Sequence, residues 1–282
     1  MSFFLTVPGP LDLKATLESG QVFRWEQADG WYWGVIGAHG YALRQGEGGL
    51  LVRTGAPSEA RAKEALAGFL RLDDDFEGVC REMGRDQRLR EALARYPGLR
   101  LLRQEPWECL VSFMCSQVSN IPRISQNLRA IAQAHGEAVE MDGRRLYRFP
   151  GPERLTEAGA EGLRRLGLGF RAEYVALAAR EAAEGRLDLM ALREAPYQEA
   201  KERLMALRGV GEKVADCALV FSLDKLEAFP LDRWVRRALA EWYGQGEKAR
   251  YGEALAWAQA RWGGRCGYVQ QYLFHYRRMV GT

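Results

Sequence analysis

Two amphipathic helical stretches meet in the segment Leu207-Arg208-Gly209-Val210-Gly211-Glu212-Lys213-Val214-Ala215-Asp216-Cys217. The first stretch ends where this segment begins, and the second places Val214, Cys217 and Phe221 on one face. The two glycines allow backbone conformations that other residues avoid, and they let a ligand approach the main chain closely. The pattern predicts a helix-hairpin-helix at about residues 196–223.

The start of the second helix is a candidate anion site. Its first amide groups lack partners within the helix and lie at the positive end of the helix macrodipole. A DNA phosphate would suit the amides around Gly209, Gly211 and Val214, although a plain tight turn has the same residues. Lys213 lies in the first helical turn, where the dipole disfavours an ammonium group. Such an amine suits a phosphate contact or, once it has lost its proton, nucleophilic attack on carbon.

Asp232 lies nineteen residues beyond Lys213, directly after Pro230-Leu231 and at the start of another predicted helix. Aspartate is a favoured N-cap residue, so Asp232 has an ordinary structural explanation. A carboxylate held at a helix start also stays ionised and can face a developing positive charge. Capping and catalysis are therefore compatible interpretations of the same residue.

The composition is that of a globular chain. With 47% hydrophobic and 27% charged residues among 282, a disordered or fibrous protein is excluded, and the length predicts about two domains. No stretch approaches the roughly 18 apolar residues of a membrane span, and the N-terminus lacks a signal-peptide pattern. We expect a cytoplasmic protein, nucleoid-associated in a prokaryote or nuclear in a eukaryote, with no membrane partner. The five cysteines contain no Cys-x-x-Cys pair, so no metal or cofactor is expected.

Charge and periodicity divide the chain. Residues 201–282 carry 14 Lys and Arg against 9 Asp and Glu, a local excess that could attract a phosphate backbone or simply coat solvated helices. Short aromatic and β-branched runs separated by glycine turns predict an antiparallel meander, with strands at 21–25, 31–36, 41–44 and 50–53. Nearly all of the remainder is predicted to be helical, at 59–71, 86–95, 106–117, 121–135, 154–165, 171–184, 196–207, 212–223, 232–243, 249–261 and 266–279.

The fold class is therefore α+β. We expect a β-rich N-terminal domain with flanking helices at residues 1–98 and a helical domain at residues 99–282.

Five blocks of sequence, in this order, resemble the helix-hairpin-helix glycosylases of the Gly/Pro-Asp type, and within them the 8-oxoguanine DNA glycosylase/AP lyases. The blocks are SGQVFRW (19–25), LRLLRQEPWECLVSFMCSQ (99–117), LGLGFRAEYV (166–175), LRGVGEKVADC (207–217) with PLD (230–232), and RWGGRCGYVQQYLF (261–274). The resemblance implies a TATA-binding-protein-like β domain before the helical domain. It also implies a monomeric, cofactor-free repair enzyme that flips 8-oxoguanine out of duplex DNA, cleaves its glycosidic bond and nicks the strand, with cytosine as the opposite base.

The resemblance assigns roles to individual positions. It implies that Lys213 is the nucleophile that forms the Schiff base and that Asp232 is the catalytic carboxylate. It further implies four base-binding residues, which supply a carbonyl, two stacking groups and an amide that reads the Watson–Crick edge: Gly20, Cys217, Phe274 and Gln270 respectively. Lys213 and Cys217 are separated by four residues on one predicted helix, and so are Gln270 and Phe274 on another, so each pair projects from a single face. Ordinary core positions are an open alternative for Cys217 and Phe274, as is a partly exposed helix position for Gln270.

The opposite strand has its own expected contacts. Arg123 and Arg171 match family arginines that contact the orphaned cytosine, and Phe170 matches an aromatic wedge beside it. Two departures affect these expectations. Val118-Ser119-Asn120 replaces an asparagine-rich turn, which leaves the opposite-base preference open, and Trp234 replaces a histidine that contacts a phosphate. An indole donates only one N–H, so that contact is replaced or lost.

Two other functions stay open. An alkylpurine DNA glycosylase generally lacks the hairpin lysine and acts without lyase activity. A non-catalytic DNA damage-binding protein would bind without cleaving and would leave Lys213 and Asp232 without a purpose. An enzyme similar to endonuclease III is disfavoured, because only Cys266 lies where that family clusters the four cysteines of its iron-sulfur site.

Overall fold

The structure is a computed structural model, and it describes residues 1–246 and 248–280. Its N-terminal part contains a five-stranded antiparallel sheet with the strand order β1-β5-β4-β3-β2. The strands are β1 (Ser2–Thr6), β2 (Glu26–Ala28), β3 (Trp31–Ile36), β4 (His39–Gly46) and β5 (Gly49–Thr54), and the short helix α1 (Leu13–Glu18) connects β1 to β2. The predicted meander over β3, β4 and β5 is confirmed.

The predicted strand at 21–25 is wrong, because these residues form no ladder. The buried side chain of Gln21 makes the connections instead. Its amide nitrogen donates to the carbonyl oxygens of Thr16 and Arg100 at 3.1 and 2.8 Å, and its amide oxygen accepts from the Leu102 N–H at 2.9 Å. A side chain that bridges three backbone groups replaces the sheet hydrogen bonds that the aromatic pattern suggested.

Thirteen further helices follow in the described part of the chain, and every predicted helix is present with boundaries shifted by a few residues. They are α2 (Glu59–Phe69), α3 (Phe76–Met83), α4 (Gln87–Arg95), α5 (Pro106–Cys115), α6 (Ile121–His135), α7 (Pro152–Leu163), α8 (Arg171–Ala183), α9 (Leu189–Glu194), α10 (Tyr197–Met205), α11 (Glu212–Ser222), α12 (Arg233–Tyr243), α13 (Tyr251–Trp262) and α14 (Cys266–Val280). A π turn at Arg164–Leu168 precedes α8. The short elements β1, α1, β2, α3 and α9 were not predicted.

The helical part also contains an unpredicted hairpin of two strands, β6 (Ala138–Met141) and β7 (Arg144–Tyr147). Asp142 and Gly143 form its turn with φ values of 48° and 73°, the left-handed conformation that Asp-Gly favours in two-residue hairpin loops. Met141 packs with Trp31 and Trp33 on the outer face of the sheet. The expectation of an almost entirely helical remainder is therefore wrong at 138–147.

Helices α5 and α11 form the centre of the helical core. Val214–Ser222 of α11 are buried, and so is every residue of α5 except Glu108, as expected for helices that are surrounded by others. The rings of Phe113 and Phe221 stack at 5.3 Å between these two helices. None of the helices in the described ranges is long and apolar enough to cross a membrane.

The boundary at residue 98 stays a prediction. Helices α3 and α4 lie on its N-terminal side, yet Phe76 and Leu89 are buried in the helical core. The Arg24 side chain also crosses between the two parts, because its guanidinium binds both carboxylate oxygens of Glu108 at 2.6 and 2.7 Å.

Candidate active site

One glycine of the hairpin turn, Gly209, has no room for a side chain. Gly209 has a φ of +87°, and a Cβ atom there would overlap the ring of Tyr174 on α8. Its carbonyl oxygen accepts from the Gln117 side chain at 3.0 Å. Gly211 is the N-cap of α11 and has no side chain to accept from the first helical amides. The Val214 side chain is buried, so a DNA contact there is restricted to the backbone N–H.

Lys213 is half-buried at the start of α11, against the end of α5. Its Nζ donates to Ser116 Oγ at 3.0 Å and lies 5.0 Å from the centroid of the Phe113 ring. The amine is therefore held over an aromatic face with one hydroxyl partner, rather than extended into solvent. Ser116 and Phe113 lie inside the quoted block 99–117, but the sequence reasoning assigned them no role.

Asp232 caps α12 and is half-buried. Its Oδ1 accepts from the backbone N–H groups of Trp234 at 2.9 Å and Val235 at 2.8 Å. Burial raises the pKa of the Asp232 carboxyl above its ordinary value of 3.8, while the two amides and the positive charges of Lys213 and Arg233 act in the opposite direction. The Lys213 amine is thus near enough to act on this carboxylate electrostatically.

Helices α11 and α14 meet where Gly267 lies against Val220. A Cβ atom on Gly267 would overlap the Val220 side chain, so the two backbones approach closely there. Cys217 and Lys213 lie one and two helical turns before Val220, on the same face of α11. This register brings the face of α11 with Lys213 toward α14.

The facing side of α14 carries the other predicted pair. Gln270 and Phe274 lie one and two turns beyond Gly267. Gln270 is buried, and its Oε1 has no hydrogen-bond partner within residues 1–246 and 248–280. Unpaired buried polar atoms are uncommon and call for an explanation, such as a ligand that supplies the missing donor. On α11, burial raises the pKa of the Cys217 thiol, so this thiol stays protonated and uncharged at ordinary pH.

Gly20 lies against the ring of Phe274. A Cβ atom at Gly20 would stand 3.3 Å from Phe274 Cε1 and 3.0 Å from Ile121 Cδ1, and the φ of Gly20 is +81°. The preceding residue is tied to α14, because the Gln271 side chain donates to the Ser19 carbonyl oxygen at 3.2 Å. Gly20 and Phe274 are therefore neighbours, Gln270 lies one turn before Phe274 on α14, and Gln271 is a support that sequence reasoning missed.

Gly20→Ala is expected to weaken binding of a damaged base by about tenfold or more, because the methyl group enters the space beside Phe274 and strains a left-handed residue. Binding of a lesion duplex is compared in the Lys213→Gln background, where no product forms. Gly30→Ala is the matched control, since Gly30 also has a positive φ but a Cβ atom there meets nothing within 4 Å. Equal affinities for the two alanine variants would contradict a base contact at Gly20.

Arg171 and Phe170 meet the Val118 turn on the surface. The Arg171 Nε donates to the Gln117 carbonyl oxygen at 2.8 Å, and Nη2 donates to the carbonyl oxygens of Gln117 and Val118. Its guanidinium also stacks on Phe170 at 4.5 Å. Val118 is 93% exposed with a φ of 48°, a strained conformation for a β-branched residue. The turn that departs from the family pattern is thus held outward by one predicted DNA-contacting arginine.

Two other positions bear on the expected DNA contacts: Arg123, a predicted contact, and Trp234, the departure from the family histidine. Arg123 is exposed, and its Nη2 donates to the Gly167 carbonyl oxygen at 3.1 Å. Trp234 directly follows the capping turn of Asp232, with the guanidinium groups of Arg233 and Arg237 at 4.9 and 5.5 Å from its ring. The departure from histidine at this position therefore places two arginines beside the indole, and these can contact a phosphate.

A family model and two curated relatives indicate the same family. Residues 5–110 match the family described as 8-oxoguanine DNA glycosylase, N-terminal domain. The N-glycosylase/DNA lyase OGG1 of Arabidopsis thaliana is 33% identical over 276 residues, which covers 88% of this chain and 75% of that protein. A probable N-glycosylase/DNA lyase of Methanothermobacter thermautotrophicus is 30% identical and covers 97% of this chain and 95% of its own.

Solved structures extend the similarity to the whole chain. The Clostridium acetobutylicum 8-oxoguanine glycosylase/lyase, in complex with double-stranded DNA containing cytosine opposite 8-oxoguanine, has a TM-score of 0.93 at 28% identity and covers 100% of this chain and 99% of its own. A 3-methyladenine DNA-glycosylase from Archaeoglobus fulgidus has a TM-score of 0.84 at 22% identity, over 99% of both chains, and shares the fold.

Proposed function

Because the chain belongs to the 8-oxoguanine DNA glycosylase family, we propose that it removes 8-oxoguanine from duplex DNA and cleaves the strand, with Lys213 and Asp232 as its catalytic residues. One observation carries the assignment of these residues. Lys213 and Asp232 lie at the starts of successive helices, act on each other electrostatically, and both act on the Cys217 thiol.

The enzyme acts on a base that has left the double helix. A protein amine cannot reach the sugar carbon inside the stack. The lesion therefore rotates out toward the proposed base-binding residues of α11 and α14, at an unstacking cost of about a few kcal/mol. Phosphate contacts at the hairpin amides offset part of this cost. Exposed Phe170 and Val118 suit the vacated stack, because apolar side chains fill gaps between base steps.

Recognition of the lesion follows from one inverted hydrogen bond. Guanine has an acceptor at N7, whereas 8-oxoguanine carries a hydrogen there. A carbonyl oxygen of Gly20 beside the bound base accepts from the lesion and repels guanine, and an unpaired polar group in a closed site costs about 1–3 kcal/mol. The unpaired Oε1 of Gln270 accepts from the N–H groups on the Watson–Crick edge, and the faces of Cys217 and Phe274 enclose the ring.

The chemistry uses the amine and the carboxylate in sequence. As the C1′–N9 bond breaks, positive charge develops on the sugar, and ionised Asp232 stabilises it. The purine leaves with the bonding electrons, and the resulting anion accepts the proton that the Lys213 ammonium loses. The amine then forms a bond to C1′ through Nζ, and cleavage of the C1′–O4′ bond, with transfer of an N–H proton to O4′, opens the sugar ring and gives an iminium. The iminium acidifies the C2′ protons, so loss of one of them expels the 3′ phosphate and breaks the strand. Phe113 and Ser116 favour this route because they hold the amine at the site without an opposing carboxylate of their own.

A panel of duplexes tests the assignment. We expect release of 8-oxoguanine, a strand break, and a covalent protein–DNA product after borohydride reduction, with the fastest reaction opposite cytosine. Duplexes with methylated purines, and each of the four opposite bases, are run alongside. Release of a methylated purine without a trapped product would support an alkylpurine glycosylase instead. Affinity without base release on any duplex would support a damage-binding protein.

A further inference from the structure

A buried polar cluster lies behind the proposed catalytic residues, on the hairpin itself. Asp216 of α11 is fully buried, and Lys201 of α10 is 5% exposed. The Lys201 Nζ lies 3.0 Å from Asp216 Oδ2. Two phenols complete the cluster, because Tyr197 donates to Asp216 Oδ1 at 2.8 Å and Tyr251 donates to Oδ2 at 2.7 Å.

Such a cluster is a poor way to gain stability. Burying an ion pair costs desolvation free energy that the attraction between the charges repays only when the hydrogen bonding is complete. Here both Asp216 oxygens have donors, and Lys201 also donates to the Tyr197 hydroxyl at 3.1 Å. The cluster therefore fixes the relative positions of the helices that carry its side chains.

Tyr251 extends the cluster from the hairpin to the next catalytic loop. Its hydroxyl accepts from the Leu231 N–H at 3.3 Å. The phenol has a single proton, and Asp216 at 2.7 Å is a closer acceptor than the Phe229 carbonyl oxygen at 3.4 Å. The Tyr251 hydroxyl therefore links the Asp216 carboxylate to the backbone N–H of Leu231 through two hydrogen bonds.

Both ends of this hydrogen-bonded link lie next to a proposed catalytic residue. Asp216 lies one helical turn after Lys213, and Leu231 immediately precedes Asp232. We propose that Tyr251 is a positioning residue, which holds the Asp232 loop at a fixed distance from the helix that carries Lys213. This inference rests on the proposed function. A displacement of about 1 Å between reacting groups costs about a hundredfold in rate, so the link has a measurable consequence.

Tyr197 offers a matched control. It donates one hydroxyl to the same Asp216 carboxylate at nearly the same distance, but it lies on α10, and its described hydrogen bonds involve only Asp216 and Lys201. Tyr197→Phe and Tyr251→Phe each remove one donor from Asp216. Only Tyr251→Phe also releases Leu231. A purely structural cluster predicts equal effects of the two substitutions on the reaction of folded protein.

The test is single-turnover release of 8-oxoguanine from a duplex over a range of enzyme concentrations. We expect Tyr251→Phe to lower the maximal rate at least tenfold while the half-saturating enzyme concentration changes less than threefold. Tyr197→Phe is expected to keep a maximal rate within threefold of the unmodified protein. All proteins are assayed at a temperature at which circular dichroism shows each to be fully folded, so that lost folding is not counted as lost rate.

The outcomes test the role of Tyr251 separately from the proposed function. A Tyr251→Phe rate within threefold of that of Tyr197→Phe would overturn the positioning role, whichever way both rates move. A larger deficit for Tyr251→Phe supports it. If the unmodified protein releases no base, the proposed function fails, whereas normal release with equal variants leaves the function intact and removes only the role of Tyr251.

Discussion

Lys213→Gln is expected to abolish both base release and strand cleavage, with a loss of about a thousandfold or more in the single-turnover rate. An amide nitrogen is not a nucleophile, so no bond to C1′ forms and no iminium follows. Glutamine still offers an N–H group toward Ser116, which binds the native amine at 3.0 Å. The loss therefore reports chemistry rather than a collapsed helix start. Rates are measured by denaturing gel on an 8-oxoguanine duplex with and without borohydride.

Binding is expected to survive this substitution. The proposed base-binding residues Gly20, Gln270 and Phe274 are unchanged, so affinity for the lesion duplex should stay within about tenfold of the native value, with one lost charge contact as the main cause of any change. Lys63→Gln is the control, because Lys63 is a lysine on α2 that pairs with Glu59 on the surface. Base release that persists in Lys213→Gln would refute the nucleophile assignment.

Asp232→Asn is expected to lower the single-turnover rate by about a hundredfold to a thousandfold, the usual effect of removing one electrostatic contact to a transition state. Asparagine caps helices as well as aspartate does, and its oxygen can accept from Trp234 and Val235 as Oδ1 does now. The substitution therefore removes the charge and keeps the cap. A near-normal rate would reduce Asp232 to a structural residue.

Asp188 supplies a matched control for the cap. Its Oδ1 accepts from Met190 at 3.0 Å and Ala191 at 2.9 Å at the start of α9, the same arrangement as at Asp232. Asp188→Asn changes the same atoms at the start of α9, a helix that carries none of the proposed site residues. The rate of base release in Asp188→Asn is expected to equal that of the native protein within about twofold.

The pH dependence of stability provides a separate check on Asp232. Because burial raises the pKa of this carboxyl in the folded state, the ionised form costs free energy at any pH above the raised value. The cost fades as the pH falls through that value toward the unfolded pKa of about 3.8. Asp232→Asn should therefore melt at a higher temperature than the native protein at neutral pH, with a smaller difference in acid. A lower melting temperature of Asp232→Asn at neutral pH would contradict this expectation. The expected increase in stability corresponds to the cost of keeping an ionised carboxylate in the site for activity.

Local patterns in the sequence predicted much of the architecture. Helical periodicity and Gly-x-Gly predicted the hairpin, and the four-residue spacings from Lys213 to Cys217 and from Gln270 to Phe274 predicted which side chains share a face. These features depend on residues within a turn or two of each other, so they are independent of tertiary packing. The strand predicted at 21–25 failed for the opposite reason, because the partners of the Gln21 side chain at Arg100 and Leu102 lie 79 and 81 residues away.

The sequence by itself therefore determined the α+β class, the helix-hairpin-helix and the identities of the proposed nucleophile and carboxylate. Only the tertiary structure decided what surrounds them: Ser116 beside Lys213 from 97 residues away, and Tyr251 bonded to Asp216 from 35 residues away. Periodicity specifies which face of a helix is buried, but not which residue of a distant element meets it. That choice is made by close packing of the whole core, in which Gly267 against Val220 sets how α14 crosses α11.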